Sequence, residues 1–367
     1  MAHISCVDCG YAYPSAGAPF RCPQCLGIFD YDSPPTFSLD QIEPRLPGYW
    51  RYRSTFDLVS GAPLVTLGEG NTPLLWDEYG KIPIGLKMES MNPTGSYKDR
   101  GSAVLVSQLL GRQVGSAVED SSGNAGASFA AYAAHGGLTS RIYVPASASG
   151  PKRQQIEMYG AELISIPGPR SQAAEAVLAE AEKGTPYASH AYLPFGLMGI
   201  ATIAYEIWDQ LDRKAPGTVI APVGHGGLLL GIVRGFSALK NAGCLDQPPY
   251  YLGVQAAVCD PVVQAFRHGL DIKPAISDLP SLAEGARVSK PVRARALLQE
   301  ISPQQGNFIS VEEADLRSAF CQLAQRGYYV EPTSALVWAV LEEQIQNLPQ
   351  PIVAVLTGLG LKYQSSK

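Results

Sequence analysis

Asn92-Pro93-Thr94-Gly95-Ser96-Tyr97-Lys98-Asp99-Arg100-Gly101 is the stretch on which the reading of this chain turns. Pro93 and Gly95 are turn formers. Before them, residues 82–88 form a short apolar run of the kind that makes a buried strand, and after them residues 102–110 carry small and apolar side chains at helical spacing. A strand therefore hands over to a helix through a polar loop that ends on a lysine. Taken alone, such a loop is an ordinary turn with one exposed amine.

Working outward, the same alternation recurs. Strands are expected over 141–144, 162–166, 218–223, 250–255 and 352–356, and helices over 125–134, 173–182, 200–212, 228–242 and 311–326. Strand–helix alternation predicts parallel sheets with helices on both faces, an α/β protein. Three glycine-containing loops stand where a strand gives way to a helix: the lysine loop, Ser121-Ser122-Gly123-Asn124-Ala125-Gly126 and Val223-Gly224-His225-Gly226-Gly227. In open α/β sheets ligands collect at the carboxyl ends of strands beside helix N-termini, so the chemistry is expected there. The proline-rich segment 31–75 reads as a largely extended connector with room for a short helix.

The bulk properties exclude several classes. A length of 367 residues suits two α/β domains with a small appendage. The net charge of −5 argues against an extended nucleic-acid surface. The apolar stretches around 221–235 and 351–361 are interrupted by Gly, His or Pro and fall short of the ~20 residues a membrane span needs. The N-terminus lacks the basic and apolar regions of a signal peptide, so a cytoplasmic location is expected.

Four of the seven cysteines form Cys6-x-x-Cys9 and Cys22-x-x-Cys25. Two such knuckles can turn four thiolates toward one point and make a closed tetrahedral Zn²⁺ site, structural rather than catalytic. Disulfides or a redox pair are the alternatives, and a reducing compartment disfavours the former. Cys244, Cys259 and Cys321 stand alone and read as small buried apolar residues.

The string from Asn92 to Gly101 closely resembles the cofactor-lysine motif of fold-type-II pyridoxal-phosphate (PLP) enzymes, specifically the threonine-synthase-like family. The resemblance continues in order through Gly68-Glu69-Gly70-Asn71-Thr72-Pro73-Leu74, the asparagine loop at 121–126, the glycine loop at 223–227, Glu331-Pro332-Thr333-Ser334-Ala335 and Thr357-Gly358-Leu359-Gly360-Leu361-Lys362. An N-terminal zinc ribbon also occurs in that family. The resemblance implies a tryptophan synthase β-like fold of two parallel-sheet α/β domains with an N-terminal zinc ribbon. The expected division is a ribbon at 1–32, a large PLP domain from 33–85 and 200–367, and a small α/β domain at 86–199.

It further implies that Lys98 forms the Schiff base with PLP and then acts as base at the substrate Cα. Gly224, His225, Gly226, Gly227 and Leu228 would cradle the cofactor phosphate, and Asn124 would meet its phenolic oxygen. Thr357 would face its pyridine nitrogen. Ser121, Ser122, Gly123 and Ala125 would hold the substrate carboxylate. A hydroxyl at 357 in place of a carboxylate favours expulsion of a leaving group over transamination, which fits a lyase carrying out elimination and replacement. The family also implies a homodimer and a small amino-acid substrate, while the charge and the short apolar runs argue against a nucleic-acid or membrane partner.

The substrate half of the pattern departs from the family. Where an arginine would grip the phosphate of O-phospho-homoserine, aligned on Thr202 and Glu206, this chain has Gly196. Lys152, Arg153 and Arg287 are the candidate substitutes. Two other readings follow: β-elimination or β-replacement on a serine- or threonine-like amino acid without a phosphate leaving group, and a non-catalytic protein whose ribbon recruits a partner.

Overall fold

The computed structural model of the chain describes residues 3–148, 150–269 and 279–363. The ends of the expected ribbon and large domain at 1–2 and 364–367, and its stretch 270–278, lie outside the described residues. In chain order the strands are β1 (Ile4–Cys6), β2 (Phe29–Tyr31), β3 (Leu74–Tyr79), β4 (Ile82–Lys87), β5 (Ser116–Glu119), β6 (Thr139–Pro145), β7 (Glu162–Ile166), β8 (Thr218–Pro222), β9 (Tyr250–Ala256), β10 (Gly306–Val311) and β11 (Ile352–Val355). The helices are α1 (Lys98–Gly111), α2 (Asn124–Gly136), α3 (Pro151–Met158), α4 (Arg170–Glu182), α5 (Gly196–Gln210), α6 (Gly227–Asn241), α7 (Pro261–His268), α8 (Ala294–Glu300), α9 (Glu313–Gln325) and α10 (Pro332–Ala339).

The chain divides into two units, each made of separate stretches. Unit 1 takes residues up to Gly70 and then Asn92–Gly199, and unit 2 takes Asn71–Met91 and Ile200–Tyr363. Residues 33–70, expected with the large domain, therefore group with unit 1. The cause is aromatic packing. Tyr49 donates its hydroxyl to the Arg100 carbonyl at 2.8 Å, and Trp50 Nε1 donates to the buried Glu69 at 2.6 Å, while Tyr132 of α2 donates to the same carboxylate at 2.7 Å. The short helix allowed for in this segment is a 3₁₀ stretch, Gly48–Thr55, with Tyr49, Trp50 and Tyr52 buried.

Unit 1 holds a three-stranded parallel sheet in the order β5-β6-β7. Its apolar centre includes Val118, Tyr143, Val177 and Tyr187. The N-terminal β1–β2 pair is antiparallel and has its own small core of Cys6, Cys22 and Phe29, with Ile4 and Tyr13 against it. Arg112, just after α1, ties this ribbon down: its Nη1 donates to the carbonyls of Pro14 at 2.8 Å, Ser15 at 3.3 Å and Gly17 at 3.1 Å, and its guanidinium lies 4.9 Å from the Tyr13 ring centre. Phe20 and Arg21 extend the contact, Phe20 against Tyr187 and Tyr192, Arg21 over Tyr192.

Unit 2 holds a six-stranded sheet in the order β10-β9-β8-β11-β4-β3. Five strands are parallel, but β3 runs antiparallel to β4, so the sheet is mixed rather than wholly parallel. The exception is physical: β3 and β4 are joined by a tight turn at Gly80 (φ +66°), which only an antiparallel pair can use. β3 is also the edge strand and carries Asp77 and Glu78, charges that discourage further pairing. The core of the unit runs through Ile84, Leu86, Ile220, Leu252, Val254, Leu336, Trp338, Ile352 and Ala354.

The strands expected at 82–88, 141–144, 162–166, 218–223, 250–255 and 352–356 are all present. Five more were not anticipated: β1, β2, β3, β5 and β10. Of the lone cysteines expected inside, only Cys259 is buried; Cys244 is half-buried and Cys321 is exposed, on the outer face of α9.

Candidate active site

Unit 1 carries the lysine loop and the asparagine loop. Lys98 is the first residue of α1 and is half-buried, its Nζ 4.8 Å from the centre of the Tyr97 ring. The loop before it is folded back by Asp99. One carboxylate oxygen accepts the Thr94 N–H at 2.7 Å and the other the Thr94 hydroxyl at 2.5 Å. Gly95 completes the turn with φ +83°, a conformation that other residues adopt at a cost. The same Asp99 carboxylate accepts the hydroxyl of Ser128 at 2.6 Å, and Ser128 lies one turn beyond Asn124 on α2. One buried carboxylate thus bolts the lysine loop to the helix that Asn124 opens.

The asparagine loop follows the carboxyl end of β5. Its approach to α2 is so close that a Cβ on Gly126 would fall 1.9 Å from the Ser121 carbonyl oxygen. Ser121 Oγ accepts the Gly123 N–H at 3.1 Å, while the Ser121 N–H donates to the buried Glu119 carboxylate. The Ser121 amide, one of the groups expected to hold substrate, is therefore spoken for by a neighbouring side chain. Behind the loop, residues 186–188 pair along the edge of β5: Val118 N–H donates to Pro186 O at 2.9 Å and Ala188 N–H to Val118 O at 2.8 Å. This strap carries Tyr187, which donates to Asp120 at 2.7 Å, and His190, whose Nδ1 lies 3.6 Å from Glu119 Oε1.

Burial dominates the electrostatics here. It pushes Glu119 up to about 7 and Asp120 up to about 6. It also drives His190 well below the usual histidine range, assisted by the positive charges of Lys98 and Arg170. Sequence reasoning did not find Glu119, Asp120, Tyr187, His190 or Arg170. Nothing in a four-residue strand announces that a distant segment will bury its last carboxylate.

Unit 2 carries the glycine loop and Thr357. The glycine loop leaves β8 and opens α6, whose N-cap, Gly226, has φ +94°. A Cβ there would lie 3.3 Å from the Arg293 carbonyl carbon, and one on Gly224 would lie 3.2 Å from the Gly285 carbonyl. The loop is thus confined from behind while the first N–H groups of a 15-residue helix have no partner within it. That is the arrangement a phosphate needs. The His225 carbonyl accepts the Arg293 N–H at 2.9 Å.

β11 neighbours β8, with Ala354 opposite Ile220, so Thr357 emerges beside the glycine loop at the same end of the sheet. Its buried hydroxyl lies 3.0 Å from Ser334 Oγ and 3.5 Å from Glu331 Oε1, and Ser334 Oγ also accepts the N–H groups of Thr357 and Gly358. Ser334 and Glu331 therefore orient Thr357, a role sequence reasoning did not assign.

Gly196 opens α5 and sits on the backbone of α1: a Cβ would come within 3.2 Å of Gly101 Cα and O. The absence of a long cation at this position has a steric reason. Of the candidate substitutes, Arg153 is engaged by Glu157 at 3.1 Å and by the Ala148 carbonyl at 3.0 Å, Lys152 is half-buried on α3, and Arg287 is exposed in unit 2.

In the ribbon, the sulfurs of Cys6, Cys9, Cys22 and Cys25 all lie within 4.8 Å of one another, with Cys6–Cys25 and Cys9–Cys25 at 3.4 Å and Cys9–Cys22 at 3.6 Å. These separations are far beyond a disulfide's ~2.05 Å. They approach the ~3.8 Å edge of a tetrahedron with Zn–S bonds of ~2.3 Å, so the thiol set fits that ion.

The sequence profile of the family described as "Pyridoxal-phosphate dependent enzyme" matches residues 65–358, and this chain belongs to that family. Among characterised relatives, the threonine synthase of Methanosarcina acetivorans is 32% identical, covering 99% of this chain and 92% of that protein, and that of Methanocaldococcus jannaschii is 35% identical, covering 97% and 92%. The chain is thus a PLP-dependent lyase with threonine-synthase-like function. Among solved structures, a T.th. threonine deaminase superposes with a TM-score of 0.65 at 26% identity, over 81% of this chain and 94% of that one. A maize serine racemase superposes at 0.66 with 22% identity, over 79% and 88%, which bears on the fold alone. Among the described residues no helix is long and apolar enough to cross a membrane.

Proposed function

We propose that this enzyme converts O-phospho-homoserine and water to threonine and phosphate, with PLP held on Lys98. The observation that carries the reading is the Asp99 clamp, which fixes the lysine loop against the helix opened by Asn124. When bound, PLP supplies an electron-withdrawing ring that acidifies the substrate Cα–H bond. The chain's own residues do the rest. The amides from Gly224 to Leu228 hold the cofactor phosphate at the head of α6. Asn124 donates to the phenolic oxygen. Thr357, oriented by Ser334 and Glu331, presents a neutral hydroxyl to the pyridine nitrogen. The amides of Ser122 and Ala125, with the Ser121 hydroxyl that the Gly123 N–H holds in place, orient the substrate carboxylate, and Lys98 Nζ takes the α-proton and later returns it. Cys6, Cys9, Cys22 and Cys25 hold a structural Zn²⁺ that keeps the ribbon folded. The same reading makes the enzyme a cytoplasmic homodimer that acts on a free amino acid and binds neither nucleic acid nor membrane.

A second reading keeps every one of these roles and changes the leaving group: β-elimination or β-replacement on a serine- or threonine-like amino acid. Gly196 favours it, since the position packs on the Gly101 backbone and offers no cation to a substrate phosphate. Incubation with O-phospho-homoserine distinguishes the two. Release of phosphate with formation of threonine supports the first reading. An inert phospho-substrate, with pyruvate or 2-oxobutanoate formed from serine or threonine, selects the second.

A further inference from the structure

The role of Glu119 deepens the reading above and rests on its placement of PLP on Lys98 and of the substrate carboxylate at the asparagine loop. Glu119 closes β5 with its side chain 1% exposed. One oxygen accepts the Ser121 N–H. The other, Oε1, has no hydrogen-bond partner among the described residues, and the His190 nitrogen at 3.6 Å is beyond normal hydrogen-bond range. The carboxyl therefore stands directly behind the loop whose remaining donors meet the substrate's α-carboxylate. Two carboxylates served by one loop in a desolvated setting each disfavour the other's charge.

The groups that face Glu119 can be named. Lys98 acts from the head of α1 and Arg170 from the head of α4, while Asp120 follows on its own segment. Tyr187 and His190 come from the strap, β6 presents Ile142 in register, and the opening turn of α2 contributes no titratable side chain. Lys98 is committed to the cofactor, Arg170 is exposed, and the neutral tendency of His190 removes it as a standing counter-charge.

We propose that Glu119 is a positioning residue for the substrate-carboxylate loop and that it takes up one proton when the α-carboxylate of an amino acid binds there. The proton comes from solvent and lodges on Oε1, while Oε2 keeps the Ser121 N–H and so keeps the loop in shape. No bond to carbon changes. Because burial already brings this carboxyl to about 7, the exchange takes place near neutral pH. Binding of the amino acid thus becomes tighter as pH falls through that region.

The test uses PLP-loaded enzyme and L-norvaline, an amino acid with no leaving group. Binding is followed by titration calorimetry in two buffers of different ionisation enthalpy, which counts protons, and by the visible band of the bound cofactor. In the parent enzyme, affinity is expected to weaken about tenfold between pH 6 and pH 8, the loss given by one group with a midpoint near 7. Proton uptake at pH 7.5 is expected to vanish at pH 5.5. Glu119→Gln, which keeps an acceptor for the Ser121 N–H, should remove both effects. A Glu119→Gln enzyme with an intact band and the parent's slope would overturn the inference while leaving the assignment of PLP to Lys98 standing. If that variant does not fold, the parent decides: pH-independent proton uptake overturns the inference alone. A parent that never acquires the band overturns the underlying reading and this inference together.

Discussion

Lys87 and Lys98 are the same side chain eleven positions apart, and their surroundings give them opposite work. Lys87 is wholly buried and tied to Glu206 at 2.8 Å, the Thr72 carbonyl at 2.7 Å and Gln210 at 3.0 Å, so its amine is fully spent on structure. Glu206→Ala would strand that charge in the core of unit 2, and breaking a buried pair in this way costs about 3–5 kcal/mol. A fall of several degrees in the thermal midpoint, read by calorimetry, is expected. Lys98→Ala should do the reverse: little change in melting, and complete loss of the visible band of the bound cofactor. Glu119 gives a pH-dependent case. Its folded pKa is raised from 4.5 to about 7, so the folded chain binds more protons than the unfolded chain between those values. Stability contributed by this site is therefore present below about 4.5, is lost as pH rises toward 7, and stays lost above it. Glu119→Gln is expected to melt a few degrees above the parent at pH 8 and to show that gain fall away by about pH 4. Lys98 was legible because a whole ordered string surrounds it. Glu119 was not, because a carboxylate at the end of a strand reads as a surface charge until something covers it, and the cover lies in the strap at 186–190.

Among elements, the sheets were legible where strands are buried on both faces and run continuously apolar, as in β8, β9 and β11. β5 escaped notice because only Ala117 and Val118 separate Ser116 from Glu119. β10 went unassigned: the helix expected from residue 311 touches only its last residue, and α9 starts at Glu313, after a strand that pairs in parallel with β9. The glycine loops could be recognised by composition, but which glycine is indispensable could not. Gly126 is the sharpest case. A methyl group there would collide with the Ser121 carbonyl, so Gly126→Ala must displace the asparagine loop from α2. The KM for the amino-acid substrate is expected to rise by about tenfold or more, about 1.4 kcal/mol of binding, with the cofactor band retained. Steady-state kinetics beside an absorption spectrum would check both halves of that expectation.

At the scale of the whole molecule, the ribbon is more than an appendage to unit 1. Arg112 reaches three of its carbonyls, Phe20 meets Tyr187 and Tyr192 edge-on, and Arg21 lies over the Tyr192 ring; the two tyrosines flank His190 on the strap behind the substrate loop. Stripping Zn²⁺ with a chelator, or Cys22→Ser, is therefore expected to lower the melting temperature and to weaken amino-acid binding before it affects cofactor binding; parallel calorimetry and cofactor titrations would show the order. The four thiols were legible from spacing alone, whereas the docking of the ribbon was not, since it depends on side chains up to 171 positions apart. The sheet of unit 2 has a consequence for synthesis. β11 stands between β8 and β4, so residue 84 finds its parallel partner only at residue 352. During translation the hairpin of β3 and β4 emerges early and waits, with one edge open, while more than 260 further residues are made. A premature stop just upstream of 352 would cut the sheet into two pieces with nothing to join them.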